Sequence, residues 1–293
     1  MAELWSSWED SGSYLELGPH RVFYRDTGTG KEDNRPVLLI LHGFPTSSWD
    51  FHLCLEHFRD FRVILHDHPG FGLSSKIEDY SYSLLEQAEV ALALWQALGI
   101  SEGHLLAHDY GTSVATEILA RREKGWAPVR LQSLTLCNGS ARIELARLRP
   151  IQQLLKHPWT GHIVARLATF QTFRRNMRAI WGEASKLDDQ ELRAHWNLME
   201  RDGGRLRLPI IARYNDERHK FWNRWIGALK RFDLPAHVLW ADLDPIAHPA
   251  IAEALHKDIP GSQLSWLKGV GHYPMLEEPQ RWSEAALDFY HSL

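Results

Sequence analysis

Apolar and polar positions along the chain fall into two alternating rhythms. Pro36-Val-Leu-Leu-Ile-Leu41 and Phe61-Arg-Val-Ile-Leu65 are nearly continuous apolar runs, ending at His42-Gly43 and at His66-Asp67-His68-Pro69-Gly70. A strand that is apolar on both faces belongs inside a parallel sheet covered by helices. Ser83 to Leu98 instead places Leu84, Leu85, Ala88, Ala91, Leu92, Trp95 and Leu98 at helical spacing, with Gly99 as a stop. Gly103–His108 predicts a strand, Thr112–Arg122 a helix and Leu131–Cys137 a strand, while Tyr14–Leu17 and Val22–Arg25 predict a hairpin near the start. Alternation of strand and helix predicts an α/β fold with a mostly parallel sheet.

After Ser140 the alternation stops. Helical spacing covers Leu145–Leu155, Asp188–Arg201 and Arg207–Leu229, with breaks at Pro150, Pro158, Gly203-Gly204 and Pro209. Asp188 followed by Glu191 has capping-box spacing. Strands return at His237–Trp240 and Gln263–Leu267, with helices at Pro249–Lys257 and Pro279–Ser292. The expected organisation is therefore one sheet domain, residues 1–140 and 233–293, interrupted by a helical lid at 141–232. Asp26 to Asn34 reads as a turn-rich surface loop.

Composition narrows the classes. The chain has 293 residues, 44% hydrophobic and 24% charged, with a net charge of -4. Such a composition excludes intrinsic disorder. Thirty-three basic against 37 acidic residues, with no isolated basic run, argue against nucleic acid as a partner. Arg174, Arg175 and Arg178 read as a solvated helix face. No apolar stretch approaches the roughly 18–20 residues that span a bilayer, and Met1 to Asp10 has no signal-peptide pattern. Two cysteines, Cys54 and Cys137, suit a reducing compartment, so a cytoplasmic protein is expected, as a monomer or homodimer. Thirteen Trp and 17 His hint at an aromatic-lined pocket.

The chemistry gathers at strand ends. Ala107-His108-Asp109-Tyr110-Gly111 joins a predicted strand to a predicted helix, the setting of a nucleophile elbow, with Asp109 where the nucleophile stands. His42-Gly43-Phe44-Pro45 can aim the Phe44 amide at the elbow and, with the Tyr110 amide, form an oxyanion hole. Gly271-His272-Tyr273-Pro274 offers His272 as base. Asp244, or in reserve Asp242, would orient that His, giving the order nucleophile, acid, base. Ser113 lies inside the helix and is no nucleophile. Neither a metal nor a cofactor is called for: no helical His pair with a carboxylate is present, and Gly70-Phe71-Gly72 lacks the third glycine of a dinucleotide fingerprint.

With Asp67-His-Pro-Gly-Phe-Gly-Leu-Ser74 added, these motifs make the chain resemble the α/β-hydrolase superfamily over nearly its whole length. Within it the chain resembles the Asp-nucleophile branch of epoxide hydrolases and haloalkane dehalogenases, and also the mesoderm-specific transcript proteins. The resemblance implies an eight-stranded sheet and covalent catalysis through an Asp109 alkyl ester. Dehalogenases hold the halide with a Trp after the nucleophile and an Asn or second Trp nearby; here those places carry Tyr110 and Phe44. Fluoroacetate enzymes place Arg beside the nucleophile, and this elbow has none. Epoxide hydrolases use two lid donors, usually tyrosines. Tyr214, 30 residues before Asp244, matches one, and His157, 48 residues after Asp109, falls at the other. Phe44, Tyr110 and Trp159 are the expected substrate contacts. The lid tryptophans Trp159, Trp181, Trp196, Trp222 and Trp225 would favour a small apolar epoxide, with water as second reactant and no membrane partner. The competing readings are a haloalkane dehalogenase or other hydrolase on this scaffold, and a ligand-binding module without activity.

Overall fold

The computed structural model describes residues 4–30 and 33–293. Met1–Glu3, in the expected signal-free start, and Lys31 and Glu32, in the expected surface loop, lie outside the described residues. Eight strands form one sheet: β1 (Ser13–Leu17), β2 (His20–Asp26), β3 (Val37–Leu41), β4 (Arg62–His66), β5 (Glu102–His108), β6 (Arg130–Cys137), β7 (Ala236–Ala241) and β8 (Gln263–Leu267). Their spatial order is β1-β2-β4-β3-β5-β6-β7-β8. The hairpin β1–β2 and the β2–β4 pair are antiparallel; every other pair is parallel. The two runs that are apolar on both faces, β3 and β4, lie side by side inside the sheet, almost wholly buried. Helices Leu84–Ala97 and Tyr110–Arg122 cover the sheet, as do Pro249–Asp258 and Pro279–His291.

Between β6 and β7 the chain is helical, with main segments at Pro150–Lys156, Gly161–Leu167, Phe170–Arg178, Asp189–Glu200, Tyr214–Lys220 and Trp222–Lys230. Two sequence expectations shift here. The helix expected from Leu145 begins at Pro150, because proline lacks the N–H that a first turn does not need. The long helix expected over Arg207–Leu229 breaks at Ala212-Arg213 and again at Phe221. These breaks turn Tyr214 and Arg218 toward the nucleophile elbow, while Trp225 packs on the helix behind it.

Polar contacts tie this insertion to the sheet. Glu117, buried on the elbow helix, accepts hydrogen bonds from Arg224, Trp225 and Arg121 at 2.8–3.0 Å. Burial alone would raise its pKa, but those donors hold it below the usual carboxylate value. Arg121 and Arg224 reach partly into solvent and Glu117 has three donors, so losing one costs less than breaking a fully buried pair. On another side, Trp49 Nε1 donates to Glu191 Oε1 at 2.6 Å, and His195 lies between Glu191 and buried Asp50.

Many of the histidines are structural. His42, His66 and His68 pack as a buried group at the ends of β3 and β4, with ring centroids 4.6 and 4.8 Å apart, one pair tilted and the other edge to face. Burial lowers the pKa of all three, that of His66 to about 3, and lowers those of His108 and His237 to about 4. An imidazole held neutral in the fold but free to charge when unfolded gives the unfolded chain more protons below pH 6.5. Stability is then present above that pH and falls as pH drops, each such group contributing about 1.4 kcal/mol per unit. Burial raises the carboxyls of Asp50, Glu217 and Glu277, which opposes the trend, but they are fewer. The urea midpoint is expected to fall from pH 6.5 to 5, before ordinary carboxylates titrate. A flat or rising midpoint across that window would count against neutral buried histidines.

Candidate active site

Asp109 follows β5 and stands at the N-cap position of the helix Tyr110–Arg122 with φ 43° and ψ -108°. A non-glycine residue at positive φ is strained, and surrounding packing must hold it there. A Cβ on Gly111 would sit 2.5 Å from the Leu41 carbonyl, and one on Gly43 would sit 2.9 Å from His108 Nδ1. Both positions must be glycine for the elbow to press against β3. The turn puts the Asp109 side chain into a cavity of about 340 Å3, and the Phe44 amide donates to its Oδ2 at 2.9 Å. The Tyr110 amide belongs to the first turn of the helix, whose N–H groups lack intrahelical partners.

His272 lines the same cavity from the loop after β8. Its Nδ1 meets Asp244 Oδ2 at 2.7 Å. Asp244 also accepts from Asn138 Nδ2 at 2.7 Å and from the amides of Ile246 and Ala247 at 2.7 and 3.0 Å, so it cannot turn away. Burial disfavours the charged imidazole, yet the carboxylates of Asp244 and Asp109 outweigh it and lift His272 to about 9. Burial likewise opposes the Asp244 charge, but His272 and Asn138 bring its pKa below the ordinary value. Asp242, the reserve acid, points elsewhere, accepting from the Gly269 amide at 2.7 Å.

Tyr214 is buried beside the elbow, its ring 5.7 Å from Phe44 and 4.9 Å from Tyr110. Burial and the Asp109 charge push its phenol up, while Arg218 and Asn215 pull it back. It stands behind Phe44 rather than among the residues that line the cavity. Three expectations need correction. His157 is exposed at the end of Pro150–Lys156, where its Nδ1 accepts from the Trp159 amide, so it faces solvent and not Asp109. Trp159 is 83% exposed beside it, because the turn after Pro158 carries both outward. The Tyr110 side chain is fully buried against His68, Phe71 and Tyr214, behind the cavity wall, and cannot touch substrate.

Phe44 does line the cavity, with Phe173, Trp196 and Tyr273 among its other aromatic walls. Of the five tryptophans in the insertion only Trp196 serves this way; Trp222 and Trp225 donate to Glu144 and Glu117, and Trp181 stacks on Tyr273. Asn138, Tyr273 and Arg218 were not found from the sequence. Asn138 follows β6 at positive φ and bonds both Asp244 and the Ala241 amide, tying two strand ends together. Only a polar residue at the end of an apolar strand hinted at it.

The sequence profile of the alpha/beta hydrolase fold matches residues 36–279. This chain belongs to the α/β-hydrolase family. LipZ of Mycobacterium tuberculosis, named as a hydrolase, is 38% identical over 96% of each chain. The human mesoderm-specific transcript homolog protein is 35% identical, over 98% of this chain and 88% of its own. Among solved structures, the haloalkane dehalogenase DbeA of Bradyrhizobium elkani superposes with TM-score 0.81 at 20% identity, covering 97% of this chain and 99% of its own. The epoxide hydrolase CorEH superposes with TM-score 0.77 at 16% identity, covering 96% and 98%. At such identities the two structures share the fold.

Because burial alone would depress His272, Asp244→Asn is expected to lower its titration from about 9 by roughly 2 units, read by imidazole NMR. An unchanged value would mean that the remaining carboxylates, Asp109 and Glu277, govern the imidazole.

Proposed function

We propose that this α/β hydrolase opens an apolar epoxide to a vicinal diol through an ester on Asp109, under a lid formed by residues 141–232. The observation that carries the reading is a carboxylate at the elbow, already bonded by the Phe44 amide, sharing one largely apolar cavity with a His272–Asp244 pair. A carboxylate attacks an sp3 carbon, whereas a serine there would favour acyl transfer. The Asp109 oxygen not held by Phe44 forms the new C–O bond, and the epoxide C–O bond breaks. Its electron pair goes to the ring oxygen, and the proton comes from Tyr214, which packs on Phe44 outside the cavity lining, relayed to that oxygen by one water molecule.

Esterification removes the Asp109 charge, one of the three that lift His272. The imidazolium therefore gives its proton to solvent once the ester has formed, and regains one when the Asp109 carboxylate returns. His272 then takes one proton from water as the hydroxide adds to the Asp109 ester carbonyl. The resulting oxyanion is stabilised by the amides of Phe44 and Tyr110. Collapse releases the diol with a proton returned from His272, and water's second hydrogen restores Tyr214.

Epoxide is favoured over halide because neither expected halide donor is available. Tyr110 points behind the wall, and position 44 presents a phenyl ring. Styrene oxide and a bromoalkane assayed in parallel test the reading. Diol formation should appear and vanish in Asp109→Ala; bromide release without diol would replace the proposal with dehalogenation. His272→Ala should accumulate an Asp109 adduct of substrate mass, and its absence under burst conditions would point to direct water attack. Tyr214→Phe should slow ester formation about 100-fold, the usual scale for losing a general acid, and an unchanged rate removes Tyr214 from the step.

A further inference from the structure

Tyr214-Asn-Asp-Glu-Arg218 is a single helical segment, and four residues of separation stack Tyr214 and Arg218 on one face. The acids between them are engaged elsewhere: Asp216 pairs with Lys156, and Glu217 accepts the Leu84 amide. Arg218 is therefore buried, 1% exposed, with no carboxylate within ion-pair distance among the described residues. Its Nε donates to Ser113 Oγ at 2.7 Å, one terminal nitrogen to Asn215 Oδ1 at 3.3 Å, and the other to the Asp109 carbonyl at 3.5 Å. Its guanidinium carbon lies 4.4 Å from the centre of the Tyr214 ring.

A buried guanidinium served only by neutral acceptors is costly to a fold. Its position explains what it gains. It lies at the two places where the proposed reaction keeps or creates negative charge, bonded to the elbow at the Asp109 carbonyl and set against the ring of Tyr214. We propose that Arg218 is a positioning residue that makes Tyr214 a usable acid, fixing the ring against the elbow and stabilising the tyrosinate left when the proton passes to the departing oxygen. The proposal rests on the epoxide reading for its chemistry, but its electrostatic claim stands on the geometry. Ser113, unable to act as a nucleophile from inside its helix, becomes the anchor of that cation.

The groups facing the Tyr214 ring are few. Asp109 from the elbow opposes loss of its proton, Arg218 and Asn215 from its own helix favour it, and Tyr110 and Phe44 supply neutral rings. The arrangement also ties competence to docking of the insertion, since the cation reaches the elbow only when that helix is seated.

Two measurements test it. A difluorinated tyrosine installed at position 214 reports its own titration by fluorine NMR without any turnover. Arg218→Gln keeps donors for Ser113 and Asn215 but removes the charge, and should raise that titration by about one unit. Arg218→Lys keeps the charge and should stay near the parent value. Equal titration in parent and Gln variant, or a Lys variant that follows the Gln variant, overturns the proposal. In single turnovers with styrene oxide, Arg218→Gln should slow ester formation about tenfold with KM little changed, and should have no further effect in a Tyr214→Phe background. An equal slowing in that background would mean that Arg218 does not act through Tyr214. If the parent enzyme leaves epoxides untouched, the reaction reading fails, while the fluorine titration still decides the role of the cation.

Discussion

The positive φ of Asp109 is the constraint around which the molecule is organised. A carboxylate can stand clear of a parallel sheet only if the chain reverses within one residue, and that reversal is sterically disfavoured for an L side chain. Everything adjacent reduces the cost. Gly111 and Gly43 let neighbouring backbones approach, Thr112 caps the Asp109 carbonyl at 2.6 Å, and the Asp109 amide donates to Cys137 on β6 at 3.1 Å. The sheet contributes rigidity, and the strain is spread over residues that do not react.

The proposed reaction has a second requirement, a base whose charge follows the chemistry. His272 is held by three elements at once. Its Nδ1 is on Asp244, its carbonyl accepts from His108 at 2.8 Å, and its amide donates to the Ile180 carbonyl in the insertion at 2.9 Å. Burial and carboxylate charge act in opposite directions on the imidazole. A balance of that kind moves whenever one nearby charge is consumed, so Asp109 and His272 are electrically linked as well as sharing one cavity.

The sheet and the strand-end residues were legible because both follow from short-range rules. Continuous apolar runs mark doubly covered strands, and glycines flanking a polar residue mark an elbow, so Asp109, Asp244 and His272 stand out as candidates at strand ends, with Asp242 in reserve. The insertion was harder. Its helices are short and take their faces from what they pack against, so periodicity ran Arg207–Leu229 together and hid the turns that aim Tyr214 and Arg218. Spacing from Asp109 led to His157, but helix breaks, not residue counts, decide where a side chain ends up. Arg218 left no local sign, since its isolation depends on Asp216 and Glu217 finding partners far away in the chain.

The bond from the His272 amide to Ile180 has a mechanical consequence. Glu277 strengthens the same seam, accepting from the amides of Gly182 and Gly271 at 2.8 and 2.9 Å. An insertion stitched to the loop of the base cannot swing away as one body without dragging that base off its acid. A motion that opened the cavity without disturbing the base would fall on the short helices around Pro150–Arg178, which line the wall away from that seam.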